Sequence, residues 1–288
     1  MLNKILSLPP VSFCLDAWEA YGRVGVSRSA AALSYFLILT LFPLLLCANY
    51  FIGLFHLDLE QMLLGLDQFL PAGALSVMSD YLAYAAVSQS PGLLLASLFA
   101  ILASASAGLR TLFLTMDQLY GTENPHPVRR FLLSILLSAL LLLTIYLSVV
   151  VIFTGDWFFW FLESHLPQRL VELIPLPALS QLWQWMRYLL LFCFVLLLLL
   201  LIYRAGVPRR LLPNRAVLAS SFLTALALAA CSVIFSWFIG LSSRYALIYG
   251  SLASLIILLV WLYFCGNILL LGAVVSQVWV TRRRRSSH

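Results

Sequence analysis

A few polar side chains lie within long apolar stretches of this 288-residue chain, and their types limit the chemistry they can perform. They are hydroxyls and amides, which donate and accept hydrogen bonds but carry no charge at neutral pH. A polar group left unpaired in hydrocarbon is costly, so each must meet another polar group, water or a bound solute. The candidates for lining a solute cavity are Tyr35, Asn49, Ser104, Tyr263 and Asn267.

Two further residues extend this candidate site. Pro43 lacks a backbone N–H, so it frees a carbonyl near the middle of its stretch and tends to kink a helix. Arg110 lies near the end of the second stretch, where a guanidinium either reaches the headgroup layer or binds a phosphate. We predict a polar cavity with Arg110 at its floor, which favours an anionic solute. In the alternative interpretation, each side chain bonds within its own helix and no cavity exists.

Residues for catalysis or metal binding do not cluster in the sequence. The four histidines lie at positions 56, 126, 165 and 288, far from HxH or HExxH spacing, and the 11 acidic residues are dispersed. No GxSxG, P-loop or CxxC pattern occurs. The five cysteines are scattered singly, so we expect buried free thiols. The sequence therefore predicts no enzyme, no catalytic residue, no metal site and no cofactor.

Membrane spans are the elements that must position these residues. The chain is 63% hydrophobic and 10% charged, against about 25% charged in soluble domains. We predict an all-α polytopic bundle at 30–280, a cytoplasmic amphipathic segment at 1–29 and a basic tail at 281–288, forming a single membrane domain over 1–288. Six segments are long enough to cross a bilayer as helices: 30–54, 92–116, 131–153, 182–203, 216–241 and 246–280.

Charge asymmetry between the connecting segments predicts the orientation of the bundle. With both termini in the cytoplasm, only Arg169, Arg187 and Arg244 of the 17 basic residues fall outside. This is the positive-inside bias that directs insertion. The four consecutive arginines end the last span, and we expect them to contact anionic lipid headgroups rather than nucleic acid. They are Arg282, Arg283, Arg284 and Arg285.

The predicted outer connections are amphipathic. Residues 58–70 repeat apolar side chains at helical spacing, and a second such stretch follows at 74–88. The aromatic-rich stretch at 156–177 is typical of an interfacial belt with another short helix. We expect these short helices to cover the outer surface of the bundle, with 58–70 roofing the cavity.

Three stretches resemble the YihY/BrkB family of bacterial inner-membrane proteins, formerly labelled ribonuclease BN. The first span carries Tyr35 and a Phe-Pro-Leu step at 42–44, and the second carries Ser104, Gly108, Arg110 and Tyr120 in a similar pattern. The last span matches Tyr-Gly, Trp-Leu-Tyr and Leu-Leu-Gly-Ala. The resemblance implies a multi-pass protein of the bacterial inner, or plasma, membrane, and it fixes no substrate.

One departure from that family bears on mechanism. The family usually follows Leu-Leu-Gly-Ala with a glutamate, which in a membrane would be a candidate proton or ion relay. This chain has Val274, Val275 and Ser276 there. Asn267, two helical turns earlier, is a polar replacement that carries no charge.

The function that these features favour is movement of a small or lipidic solute across the bilayer, with Arg110 favouring an anionic one. The alternative is an envelope-maintenance or scaffold protein that acts through partners and has no transport path. A hydrated polar cavity separates the two hypotheses, because a scaffold can pack its bundle dry. The sequence names neither the substrate, nor the energy source, nor the oligomeric state.

Overall fold

A computed structural model describes residues 9–55, 90–122, 127–165, 176–207, 211–241 and 251–285. These ranges form seven α-helices: α1 Pro9–Val24, α2 Val26–Phe55, α3 Pro91–Tyr120, α4 Pro127–His165, α5 Leu176–Gly206, α6 Asn214–Leu241 and α7 Ser251–Arg285. Helices α2 to α7 each contain a segment long and apolar enough to cross a membrane. The predicted all-α bundle of six spans is therefore confirmed.

Local sequence signals explain where α3 begins and ends. Ser90 is extended and its Oγ accepts a hydrogen bond from Leu93 N at 3.1 Å, which satisfies a free amide of the first turn. Pro91 occupies the first helical position, where no N–H is needed. Gly121 ends the helix in the left-handed conformation (φ 62°), a conformation that glycine adopts without steric cost.

Several helices differ from expectation. A short separate helix was predicted in the aromatic stretch at 156–177. Helix α4 instead continues to His165, so the first part of that stretch belongs to α4. Helix α2 runs unbroken through Pro43. The predicted helices at 58–70 and 74–88 lie outside the described residues. Of the five cysteines, only Cys47 is buried, so the expectation of buried thiols is wrong for most of them.

The six spans form a ring in chain order. Each long helix packs against the next one along the chain, and α7 closes the ring by packing against α2. Helix α3 also contacts α5 and α7 across the ring. The short helix α1 packs against α2, α3 and α7.

One end of the ring is densely packed. We call it the basic end; it holds the start of α2, α4 and α6 and the end of α3, α5 and α7. A continuous apolar cluster fills it, including Leu33, Leu112, Met116, Ile202 and Val274. Lipid tails are as apolar as these side chains, so close packing rather than water exclusion stabilises this contact.

In the opposite half of the ring, which we call the far half, helices α4 to α7 are sparsely packed. In α4, no described side chain from position 139 to 151 is buried. In α5, Arg187 is the one buried side chain among those described at 181–197. Phe235 in 226–237 of α6 and Leu258 in 255–265 of α7 are likewise single buried residues. Helices α4 to α7 are therefore packed mainly at the basic end, whereas α2 and α3 also bury Leu45, Cys47, Ser97 and Ile101 in the far half.

Candidate functional site

Asn267 and Tyr263 lie one turn apart on α7, and both bond to the N-terminal part of the chain. Tyr21 Oη donates to Asn267 Oδ1 at 2.8 Å, and Asn267 Nδ2 donates to the Tyr263 carbonyl at 2.9 Å. The hydroxyls of Tyr263 and Ser27 are 2.6 Å apart. Because Asn267 is only 8% exposed, these bonds satisfy a polar group that would otherwise be costly. The two residues therefore join α7 to α1 and α2.

Ser104 is part of the contact between α2 and α3. Its Oγ lies 2.8 Å from Thr40 Oγ1 and also donates to the Ala100 carbonyl at 2.8 Å. One turn later, a Cβ at Gly108 would come within 3.2 Å of Leu33 Cδ1. A small residue at 108 thus lets the two backbones approach closely, and Ser104 is engaged in helix packing.

The α2 candidates do not join either group. Tyr35 is 56% exposed, and its ring lies edge-on to the neighbouring Phe36 with centroids 5.5 Å apart. Pro43 is partly buried within the continuous α2 helix. Asn49 belongs to α2, but its side chain lies outside the described part of the chain.

Arg110 is exposed on α3. Its guanidinium carbon lies 5.3 Å from the centre of the Phe131 ring on α4, at a distance suited to a cation–π contact. Leu114 and Leu132 on the same two helices are 63% and 61% exposed. Exposed apolar side chains of α3 and α4 therefore border the Arg110 guanidinium.

Asp117 at the end of α3 pairs with Arg130 near the start of α4. Arg130 Nη2 donates to Asp117 Oδ1, and the same guanidinium donates to the Ala205 and Gly206 carbonyls, each at 3.1 Å. Those carbonyls end α5, where the helix dipole favours a cation. The Asp117–Arg130 clamp, as we name it, fastens α3, α4 and α5 together at the basic end.

Two tyrosines donate hydrogen bonds to the backbone of α7: Tyr203, which the sequence analysis did not single out, and Tyr120, which it noted only as part of a family-like pattern. Tyr203 Oη donates to the Leu269 carbonyl at 2.6 Å and lies 3.0 Å from Thr224 Oγ1. Tyr120 Oη donates to the Ala273 carbonyl, one turn further along, at 3.1 Å. A tyrosine at the end of a span is usually interpreted as an interfacial residue, so only the structure reveals these hydrogen bonds to α7.

Gly272 leaves the space that the Tyr203 and Thr224 hydroxyls occupy beside α7. A Cβ added there would overlap both Thr224 Oγ1 and Tyr203 Oη. The Leu-Leu-Gly-Ala stretch therefore has a packing explanation in this chain. Val274, the residue directly after this stretch, is fully buried. An apolar contact therefore lies at the position after Leu-Leu-Gly-Ala, where the resemblance pointed to a glutamate.

Arg187 lies within the predicted fourth span, 182–203, and was counted among the basic residues on the outer side of the membrane. In the structure it belongs to α5, which begins at Leu176. It is 4% exposed, and its guanidinium carbon lies 5.6 Å from the centre of the Tyr188 ring. An ionisable residue buried in a membrane span is a default candidate for function. Its presence within an otherwise apolar helical stretch was the available signal.

Among the described residues, the polar candidates either bond to other residues of the bundle or lie on its surface, and no catalytic group is assembled. In the part of the chain that the structure describes, His, Cys, Asp and Glu side chains form no group of three or more that could hold a metal ion. The polar candidates fall into two sets. One set is buried or partly buried and bonded within the bundle: Ser104 bonds to Thr40, and Asn267 and Tyr263 bond to Tyr21 and Ser27. The other is exposed, at Tyr35 and Arg110.

The sequence of this chain is similar to those of known membrane and ribonuclease-like proteins. The family model described as Virulence factor BrkB matches residues 17–288. The ribonuclease-like protein YfkH of Bacillus subtilis is 23% identical over 95% of this chain and 97% of its own length. A UPF0761 membrane protein of Alkalilimnicola ehrlichii is 27% identical over 93% of this chain, which spans 58% of that relative.

A shorter match links the chain to the UPF0761 membrane protein YihY of Salmonella newport, which is 41% identical over 70 residues. No solved structure matches this chain. The resemblance expected from three stretches of the sequence is confirmed, because the family model covers nearly the whole chain. This protein belongs to the BrkB family of membrane proteins.

Proposed function

We propose that this protein is a non-enzymatic translocator that moves an anionic solute, small or lipidic, across the membrane. The alternative is a scaffold that maintains the envelope through partners and moves no solute. The two roles differ in what they require of the bundle. A translocator needs helices that can separate around a path, whereas a scaffold is best served by packing along its whole length.

One observation supports translocation above the others: all six spans are packed at the basic end, whereas α4 to α7 are sparsely packed in the far half. Single side chains, such as Phe235 and Leu258, are all that α6 and α7 bury there among the described positions. Interiors of membrane bundles gain their stability from close packing, so a half without it is poorly suited to a static support. It is suited to helices that move.

The sign of the solute follows from the charged side chains in or near the spans. Arg187 is buried in the far half, and Arg110 is exposed beside Phe131 nearer the basic end. A guanidinium stays protonated and binds phosphate or carboxylate through several N–H groups. Both positions therefore favour a negatively charged solute.

The name of the Bacillus relative raises a nuclease as an alternative, which would need carboxylates available to hold metal ions or activate water. The acid of α3, Asp117, is instead bound by Arg130 and by Thr122 Oγ1 at 3.0 Å. No described contact favours nuclease chemistry.

Replacement of Arg110 tests the translocation proposal. The purified protein in liposomes is expected to move fluorescent phosphatidylglycerol between leaflets, measured by dithionite quenching, or to take up radiolabelled phosphate, which distinguishes lipid from soluble solute. Arg110→Ala removes a charge-assisted contact. It is expected to lower the rate of whichever solute the wild type moves by about tenfold, equivalent to about 1.4 kcal/mol.

Arg215→Ala is the matched control, because Arg215 is an exposed arginine at the start of α6. It is expected to keep the wild-type rate. An Arg110→Ala protein that folds and moves solute as fast as wild type would remove Arg110 from the path. Wild-type protein that moves neither solute would favour the scaffold.

We also propose a bacterial inner membrane as the location, with the basic end and both termini in the cytoplasm. The exposed arginines at that end support the orientation: Arg23, Arg28, Arg129, Arg215 and Arg283. Reporter fusions placed after Gln89 and after Arg285 are expected to report opposite sides of the membrane. The same side at both points would contradict a six-span topology.

A further inference from the structure

Helix α1 has three distinct faces. At about 100° per residue, Phe13, Ala17, Ala20, Tyr21 and Val24 share one side. All five pack against the apolar cluster of the basic end, and Ala20 is 3% exposed. This side fixes α1 to the bundle.

A second face of α1 is apolar but uncovered. It holds Cys14, Leu15, Trp18 and Gly22, which fall within an arc of about 100°. Trp18 is 75% exposed and Leu15 is 47% exposed. We call this arc the outer apolar face.

The third face is polar and adjoins the outer apolar face. It holds Ser12, Asp16, Glu19 and Arg23 within an arc of about 60°. Arg282 at the end of α7 donates from Nε to Asp16 Oδ2 at 2.7 Å and from Nη1 to Ser12 Oγ at 2.9 Å. Because Arg282 follows the apolar part of the last span, the polar face lies on the water side of α1.

The order of these faces matches a helix lying in a membrane interface. A helix with one face on the bundle, one toward water and an exposed Trp-Leu face between them has a single orientation that leaves no apolar surface wet. Tryptophan prefers the boundary between headgroups and acyl chains. A helix in water would instead expose Trp18 and Leu15 together.

We propose that α1 is a membrane-surface helix whose outer apolar face enters the headgroup–acyl boundary of an anionic leaflet. The charge of its surroundings gives the anionic preference: Arg23, Arg28 and Arg283 are exposed at the same end of the bundle. Gly25, at φ 68°, forms the corner that turns α1 away from α2. Asp16 and Tyr21 fasten it to α7.

Spin-label accessibility tests the depth of each face. Single labels go on Cys14, Leu15→Cys and Trp18→Cys for the outer apolar face, and on Glu19→Cys and Arg23→Cys for the polar face. The other native cysteines are replaced by serine, and the full chain is placed in nanodiscs containing phosphatidylglycerol. The ratio of oxygen to nickel-chelate accessibility is expected to be several-fold higher at 14, 15 and 18 than at 19 and 23.

Equal ratios on both faces would overturn the proposal, because α1 would then lie in water. Labels at 14, 15 and 18 that are shielded from both reagents would also overturn it, since another protein or a second copy would cover the face. The Cys14 label needs no substitution on α1, so it tests the native helix even if Trp18→Cys folds poorly. Replacing phosphatidylglycerol by phosphatidylcholine is expected to lower the Cys14 ratio, and an unchanged ratio would overturn the anionic preference.

Discussion

Gly272→Ala is expected to destabilise the bundle by about 2–4 kcal/mol, because an added methyl group has no room at the α5, α6 and α7 contact. Its Cβ would overlap Thr224 Oγ1 and Tyr203 Oη. The tyrosine must then move, and its 2.6 Å bond to the Leu269 carbonyl is lost. The midpoint of thermal unfolding in detergent is expected to fall by about 5–10 °C.

Gly22→Ala is the matched control for this experiment. Gly22 lies within helix α1, and a Cβ there would have no atom within 4 Å. Alanine loses less backbone freedom than glycine on entering a helix, so this change is expected to raise stability by about 0.5–1 kcal/mol. Equal effects at the two glycines would show that space at Gly272 is not limiting.

The result would also explain a sequence pattern in physical terms. The Leu-Leu-Gly-Ala stretch was noticed through its resemblance to a family that usually follows it with a glutamate, which this chain lacks. In this chain Val274 is fully buried in apolar contact. The glycine instead leaves room for the Tyr203 and Thr224 hydroxyls beside the α7 backbone, and their contacts stabilise the basic end.

The spans could be predicted from the sequence because apolar length is a local property. The fourth span, predicted at 182–203, lies within α5, which is continuous from Leu176 to Gly206. Arg187, near the outer end of that predicted span, is buried, which the sequence did not predict. Helix ends depend on contacts that apolar length does not encode, so a charge near a predicted end is the hardest to place.

The partners of the candidate residues could not be predicted in the same way. Asn267 bonds to Tyr21 across 246 positions of the chain. Whether an amide in a span meets water, a solute or a distant tyrosine depends on the rotation of each helix in the ring. That rotation comes from tertiary packing, and the cavity expected around Tyr35, Asn49 and Asn267 stays a prediction.

Asp117→Ala is expected to be the second strongly destabilising change, at about 2–4 kcal/mol. The Asp117 and Arg130 side chains are 14% and 18% exposed, so little solvent would replace the lost carboxylate. Arg130 would keep its bonds to the Ala205 and Gly206 carbonyls but would lose its counter-charge. The expected readout is a lower thermal midpoint together with faster proteolysis at the basic end.

Asp16→Ala is the matched control, because it also removes an aspartate bound to an arginine at the basic end. Asp16 is 44% exposed, so its pair with Arg282 is screened by water and is expected to contribute less than about 1 kcal/mol. Raising the salt concentration should weaken the Asp16 pair more than the Asp117–Arg130 clamp. Equal losses from Asp117→Ala and Asp16→Ala would contradict the clamp.

Arg130→Lys separates charge from geometry in the same clamp. Lysine keeps the positive charge but cannot present a planar guanidinium to one carboxylate and two carbonyls at once. If the clamp depends on that geometry, Arg130→Lys should lower the thermal midpoint nearly as far as Asp117→Ala. Wild-type stability in Arg130→Lys would mean that charge alone suffices. The double variant Asp117→Ala, Arg130→Lys should lose less stability than the two single variants lose together, because both changes break one shared contact.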